Sequence, residues 1–179
     1  MKTFIASGIA AAALVSAASA DVTFTFTSQT WTGFNFTEAY AAGSLTGNLT
    51  GVSVNATLNA STNYTYADDL CVYINPSPLS LGGLLQVGGF SNLNATQRYS
   101  WANGGSSAPG TTVTGTKTLT TGIDMAANPL QSIWVGNGYG AAGTSGTWTG
   151  TITLIGVVPA PGAVALLGLA GLTGRRRRA

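Results

Sequence analysis

The chemistry open to this chain is limited by what it lacks. It has no histidine, which removes the commonest general base and the commonest metal ligand. Its only adjacent acids are Asp68 and Asp69, with Glu38, Asp21 and Asp124 scattered elsewhere. Joined by Asp124 or Glu38, the pair is a calcium candidate, because calcium takes six to eight oxygens from carboxylates and loop carbonyls. No Asp-x-Asp-x-Asp spacing accompanies it, and neighbouring residues of a strand point to opposite faces. An Asx turn or a solvated loop is the simpler reading of Asp68, Asp69 and Asp124, so no resident metal or cofactor is expected. A glycosidase would need two carboxyls opposed across a cleft, and nothing in the spacing indicates one. Serine is abundant but has no histidine to activate it and no G-x-S-x-G turn. Lys117, the one lysine of the body, lies in a threonine run that reads as strand, a poor place for a Ser-Lys pair. No catalytic residue is assigned, and the chain is expected not to be an enzyme.

Binding chemistry is better represented. Tyr64, Tyr66, Tyr73, Tyr99, Tyr139 and the tryptophans Trp31, Trp101, Trp134 and Trp148 could stack on sugars. The competing reading is core packing, since a domain of this size needs large side chains inside. Cys71 lies between Leu70 and Val72 and is expected to be a buried, inert thiol; no intrachain disulfide can form.

Charged residues make up 7% of the chain, against roughly 25% in an ordinary soluble domain. Away from the termini, two cations, Arg98 and Lys117, face five carboxylates, which leaves the body at −3. The net positive charge comes from Lys2 and from Arg175, Arg176, Arg177 and Arg178, so no basic body exists to grip nucleic acid.

The elements that must position these groups read as strands. Val22 to Thr27, Val52 to Leu58 and Trp148 to Leu154 alternate apolar with polar at period two, the pattern of a strand with one wet face. Further strands are expected at Tyr64 to Tyr66, Leu70 to Ile74, Leu84 to Phe90, Thr111 to Leu119 and Ile133 to Val135. Turn residues separate them: Asn75-Pro76-Ser77-Pro78, Gly82-Gly83, Asn103-Gly104-Gly105, Pro109-Gly110 and Asn137-Gly138. Short strands at regular spacing without helices predict an all-β fold, an antiparallel β-sandwich or jelly roll, over residues 21–157. The four tryptophans are expected to fill its core.

The two ends read as transit signals. Residues 1–20 carry Lys2, an apolar run from Phe4 to Val15 and a small-x-small site at Ala18 and Ala20, the pattern of a signal peptide with Asp21 as the new first residue. At the other end, Val158, Pro159, Ala160 and Pro161 precede an apolar segment from Gly162 to Gly174. That segment is shorter than the ~20 residues of an ordinary membrane-spanning helix. Arg175 to Arg178 follow it as a stop-transfer cluster that would remain on the cytoplasmic side.

The order Pro-x-Pro, short Gly/Ala/Leu span, terminal arginine cluster, over residues 158–178, resembles the PEP-CTERM sorting signal of Gram-negative bacteria. The family's glutamate is here Ala160. A related glycine-based sorting tail fits less well, since it lacks the proline pair. The resemblance implies domains at 1–20 (signal peptide), 21–157 (β domain) and 158–179 (sorting tail with a short transmembrane helix). The implied partners are the Sec translocon, signal peptidase and an exosortase-like enzyme. The implied course is a transient inner-membrane anchor, then the cell surface or the extracellular polysaccharide matrix. Two stretches of the body, NYTYADDLCVYINPSP (63–78) and GNGYGAAGTSGTWTGTITLIG (136–156), resemble strand segments of P-like (proprotein convertase) jelly rolls, which serve as structural, accessory domains. The expected function is a non-catalytic structural or adhesive role in association with exopolysaccharide. The alternatives are a carbohydrate-binding module and, behind it, a secreted hydrolase.

Overall fold

A computed structural model describes residues 21–77 and 80–162. The signal-peptide pattern with Ala18 and Ala20, the arginines 175–178, and all but the first residue of the expected C-terminal span lie outside the described residues. Among the described residues no helix is long and apolar enough to cross a membrane.

The body is all-β, with nine strands: β1 (Val22–Thr32), β2 (Phe36–Tyr40), β3 (Leu45–Thr62), β4 (Leu70–Asn75), β5 (Leu85–Val87), β6 (Gln97–Tyr99), β7 (Thr112–Asp124), β8 (Ser132–Asn137) and β9 (Ser145–Pro159). They form a four-stranded sheet ordered β1-β9-β3-β7 and a five-stranded sheet ordered β2-β8-β4-β5-β6. The antiparallel pairs are nested, β4 with β5, β3 with β7, β2 with β8 and β1 with β9. One long hairpin folded back on itself gives that pattern, with its successive pairs shared between two sheets. The expectation of antiparallel pairing fails at one place: β5 and β6 run parallel, joined by residues 88–96.

Alternation decides which side chains go inside. On the four-stranded sheet Val52, Val54, Ala56 and Leu58 of β3 and Trp148, Ile152 and Leu154 of β9 enter the core. Thr23, Thr30, Thr147 and Thr153 stay outside, and their hydroxyls pair across strands at 2.7 to 2.9 Å. β1 keeps this pattern over eleven residues by means of a bulge. Register slips by one between Phe26 and Gln29, Ser28 takes φ +47, and the buried parity passes from Val22 and Phe26 to Trp31. An alternation rule that does not allow for a bulge ends the strand at Thr27.

The five-stranded sheet is covered on both faces. Leu70, Val72 and Ile74 of β4 meet the main core, with Leu85 and Val87 of β5 and Ile133 and Val135 of β8. Cys71 and Tyr73 point the other way and pack with Leu93, Phe34, Phe36 and Trp134 in a second cluster. Hence β4 reads as an unbroken apolar run instead of an alternating one. Cys71 is fully buried, as expected, and burial pushes its thiol far up. Trp31 and Trp148 lie in the main core with ring centroids 5.8 Å apart, and Trp101 joins them. Trp134 does not; it sits half-buried on the outer face, its Nε1 donating to the Asn75 carbonyl at 2.9 Å.

Two strand expectations need correction, and two strands were missed. Tyr64 to Tyr66 is a reversal, because Asn63 and Tyr64 both adopt positive φ. The strand expected from Leu84 to Phe90 stops at Val87, where Gly88 and Gly89 turn the chain with φ +76 and +77. β2 and β6 were not anticipated; with five and three residues they are too short to show a period.

Candidate functional site

The ends of the strands define two poles. β9 starts at Ser145, paired with Thr32 and Thr62, and finishes at Pro159, paired with Leu45. Fifteen residues at ~3.3 Å each place roughly 45 Å between these ends. Asp21 lies at the Pro159 pole, its Oδ1 accepting from the Gly156 N–H at 3.1 Å. The expected sorting motif begins inside the sheet there. Val158 pairs with Thr46, Pro159 with Leu45, the Ala160 N–H donates to the Ser44 carbonyl at 2.8 Å, and Pro161 is exposed.

At the opposite pole three connections meet: β3–β4, β5–β6 and β8–β9. After Thr62 the chain reverses through Asn63 and Tyr64, and Thr65 Oγ1 bonds back to the Thr62 carbonyl at 3.0 Å. A single 3-10 turn, Ala67–Asp69, then leads into β4. Its underside is fixed by the core, where Trp148 Nε1 donates to the Ala67 carbonyl at 3.2 Å and Trp101 Nε1 to the Leu70 carbonyl at 2.7 Å. The β5–β6 connection is tied down by Gln86. This wholly buried side chain donates to the carbonyls of Gly88 and Ser91 at 3.1 and 2.7 Å and accepts from the Leu93 N–H at 2.9 Å. The β8–β9 connection is set by Asn137 Oδ1, which accepts from the Tyr139 N–H at 3.0 Å.

Backbone contacts lock the three loops together. Gly89 N–H donates to the Asp68 carbonyl at 3.0 Å, Gly138 N–H to the Asp69 carbonyl at 2.8 Å, and Ser91 N–H to the Gly138 carbonyl at 2.9 Å. Gly89 and Gly138 touch so closely that a Cβ on Gly138 would lie 2.6 Å from the Gly89 Cα, so both positions exclude side chains.

The assembled pole presents aromatic rings to solvent. Tyr64, Tyr66, Phe90 and Tyr139 line a cleft of about 150 Å³ with the carboxyl of Asp69 as its only charged group. Tyr64 is 77% exposed and Phe90 74%, while Phe90 and Tyr139 meet edge to face at 5.5 Å. An adjoining groove of about 360 Å³ shares Tyr66, Asp69 and Phe90 and adds Asp68, Arg98 and Ser100. Arg98 Nη2 donates to the Phe90 carbonyl at 3.0 Å.

Asp69 is 5% exposed, and one oxygen accepts from the Tyr66 N–H at 2.7 Å. Burial is the main influence on its carboxyl, which is lifted to about 6; the neighbouring Asp68 adds to the rise, and the backbone N–H groups of Tyr66 and Phe90 oppose it. Burial raises Asp68 as well. Asp124 is not part of this site. It is exposed at the end of β7, where its Oδ1 accepts from the N–H groups of Ala126 and Ala127 at 2.9 and 3.2 Å, an Asx-type turn. Among the described residues no three of His, Cys, Asp and Glu come together to hold a metal ion.

Of the aromatic candidates named from sequence, the fold therefore brings Tyr64, Tyr66 and Tyr139 to the cleft. It buries Tyr73, with its hydroxyl donating to the Ser80 carbonyl at 2.7 Å, and half-buries Tyr99 against β7 through Thr120. Phe90 was missed, having been read as a strand end; the Gly88-Gly89 pair just before it was the available signal.

The chain matches no family model, and neither a curated protein nor a solved structure shows significant similarity to it.

Proposed function

We propose that this chain is an exported, non-catalytic surface or matrix protein that holds polysaccharide in the Tyr64–Tyr66–Phe90–Tyr139 cleft. The observation that carries the reading is the cleft itself: four aromatic rings gathered by three loops around one buried carboxyl, two of them largely in water. A singly exposed ring is ordinary, but grouped ones mark binding surfaces. Their negative faces attract the weakly positive C–H groups of a sugar ring, while tyrosine hydroxyls and Asp69 supply hydrogen bonds. Neither a metal nor a second opposed carboxyl is needed for this.

Export rests on the patterns at the two ends, residues 1–20 and 158–179, with the PEP-CTERM-like tail directing the chain through an exosortase-like enzyme. The poles suit that course. Asp21 and Pro159 lie at one end, so a chain held by its tail during sorting would present the cleft outward. We read the body as a jelly roll, supported by the nested pairs and by sheet orders that become 1-9-3-7 and 2-8-4-5 once the short β6 is set aside. The P-like resemblance of residues 63–78 and 136–156 falls on two of the three segments that build the cleft.

The test is a pull-down of the full-length chain on a panel of insoluble bacterial polysaccharides, beside the double variant Tyr64→Ala, Phe90→Ala. Both side chains are mostly exposed, so the variant should keep its melting temperature while retention falls at least tenfold. Equal retention of the two proteins contradicts a role for the cleft, and no retention of either leaves only the structural alternative.

A further inference from the structure

The cleft has features beyond those a neutral sugar needs. Its lining holds one charged group, the carboxylate of Asp69, and four aromatic rings. Ring faces attract cations, and more strongly where water is partly excluded. The one basic residue nearby, Arg98, does not line the cleft; it lies along the neighbouring groove, which Asp69 shares, and bonds the Phe90 carbonyl. Asp69 accepts from the Tyr66 N–H and is also under the influence of the Phe90 N–H, and an ionised carboxylate accepts at about four positions, so some remain open. A buried carboxylate is costly unless a cation answers it, and none lines the cleft.

We infer that the unit bound in the cleft carries a protonated amine: an amino sugar of a deacetylated polysaccharide, its ammonium set among the rings of Tyr64, Tyr66, Phe90 and Tyr139 and bonded to Asp69. This rests on the polysaccharide reading and specifies its ligand. An amino sugar uses both parts of the lining, the rings for its C–H face and the carboxylate for its N–H donors. A trimethylammonium headgroup would use the rings alone, since it has no hydrogen to donate to Asp69. The continuous groove with Ser100 and Arg98 gives adjoining sugars of a chain somewhere to lie. The charge of the body, −3 between the ends, favours approach of a polycation.

Binding of this kind needs Asp69 ionised. The other charged groups lining the adjoining groove are Asp68, the preceding residue on the turn, and Arg98 from β6. The amine must also be protonated, and a sugar amine loses its proton near neutrality, so with the Asp69 carboxyl at about 6 affinity should pass through a maximum and decline as pH falls below 6.

The experiment is calorimetric titration of the full-length chain at pH 7 with a glucosamine hexamer, its fully N-acetylated counterpart and choline, followed by an array of neutral and acidic glycans. The expected result is at least tenfold tighter binding of the amine hexamer than of the acetylated one. The preference should vanish in Asp69→Asn and weaken with salt. Tyr64→Ala, at an exposed position, provides the control should Asp69→Asn fold poorly; it should weaken the amine hexamer at least fivefold. Equal affinity for the two hexamers overturns the inference and leaves the polysaccharide reading intact, as does binding confined to neutral or acidic glycans on the array. Choline bound as tightly as the amine hexamer overturns it in favour of a quaternary ammonium ligand. Silence towards every glycan overturns both readings.

Discussion

The carboxyl of Asp69 is buried between Tyr66 and Phe90, in a turn whose backbone it also helps to hold. Its position has a consequence for stability that needs no ligand. The carboxyl is at 3.8 in the unfolded chain and about 6 in the folded one, so the folded state binds the proton more tightly. A raised folded value means that stability is greatest below the unfolded value and declines as pH rises through the folded one. Between pH 4 and 7 the wild type should lose about 2 kcal/mol, allowing for water that reaches the carboxyl through the cleft. Asp69→Asn should show little of that decline, and urea unfolding at half-unit pH steps measures the difference. Parallel pH profiles for the two proteins would mean that Asp69 is not the group responsible. The sequence showed Asp68-Asp69 as the only acidic pair but gave no reason to separate the two. Their difference comes from the 3-10 turn, which places Asp69 inward and leaves Asp68 half-buried, and from the loops that close over it.

Among the elements, the cleft depends most on β5, only three residues long, because it carries Gln86. Gln86→Met keeps the volume and removes three hydrogen bonds to the loop that carries Phe90. Leaving the Leu93 N–H buried and unpaired should cost about 2 kcal/mol, and the Leu93 amide should lose exchange protection. Unchanged stability and protection would show that the loop is held by other contacts. The long strands were legible in the sequence because a period of two survives over many residues: Val52 to Leu58 and Trp148 to Leu154 alternate as the fold requires. β4 was legible for another reason, as an apolar run buried on both faces. The pieces that build the cleft were not. The reversal at Tyr64 uses positive φ in a tyrosine, which no propensity anticipates. The end of β5 depends on Gly88, where a Cβ would strike the Leu70 carbonyl and the Trp101 ring, residues distant in sequence.

For the whole molecule, charge and polarity divide the surface into regions with different uses. The outer face of the four-stranded sheet is a hydrated threonine array, with Thr23 on Thr153 and Thr30 on Thr147, and it keeps a chain of very low charge wet. The aromatic pole stands apart from that face and lies opposite Asp21 and Pro159. A polysaccharide that bound by hydroxyl contacts alone would choose the broad threonine face; one that bound by ring stacking and charge would choose the pole. Backbone amide chemical-shift mapping on the isotope-labelled chain, titrated with a bound oligosaccharide, distinguishes them directly. The account predicts shifts clustered at Tyr64, Tyr66, Asp69, Phe90 and Tyr139, with the outer threonines unmoved. Shifts spread over Thr23, Thr30, Thr147 and Thr153, with the pole silent, would contradict it.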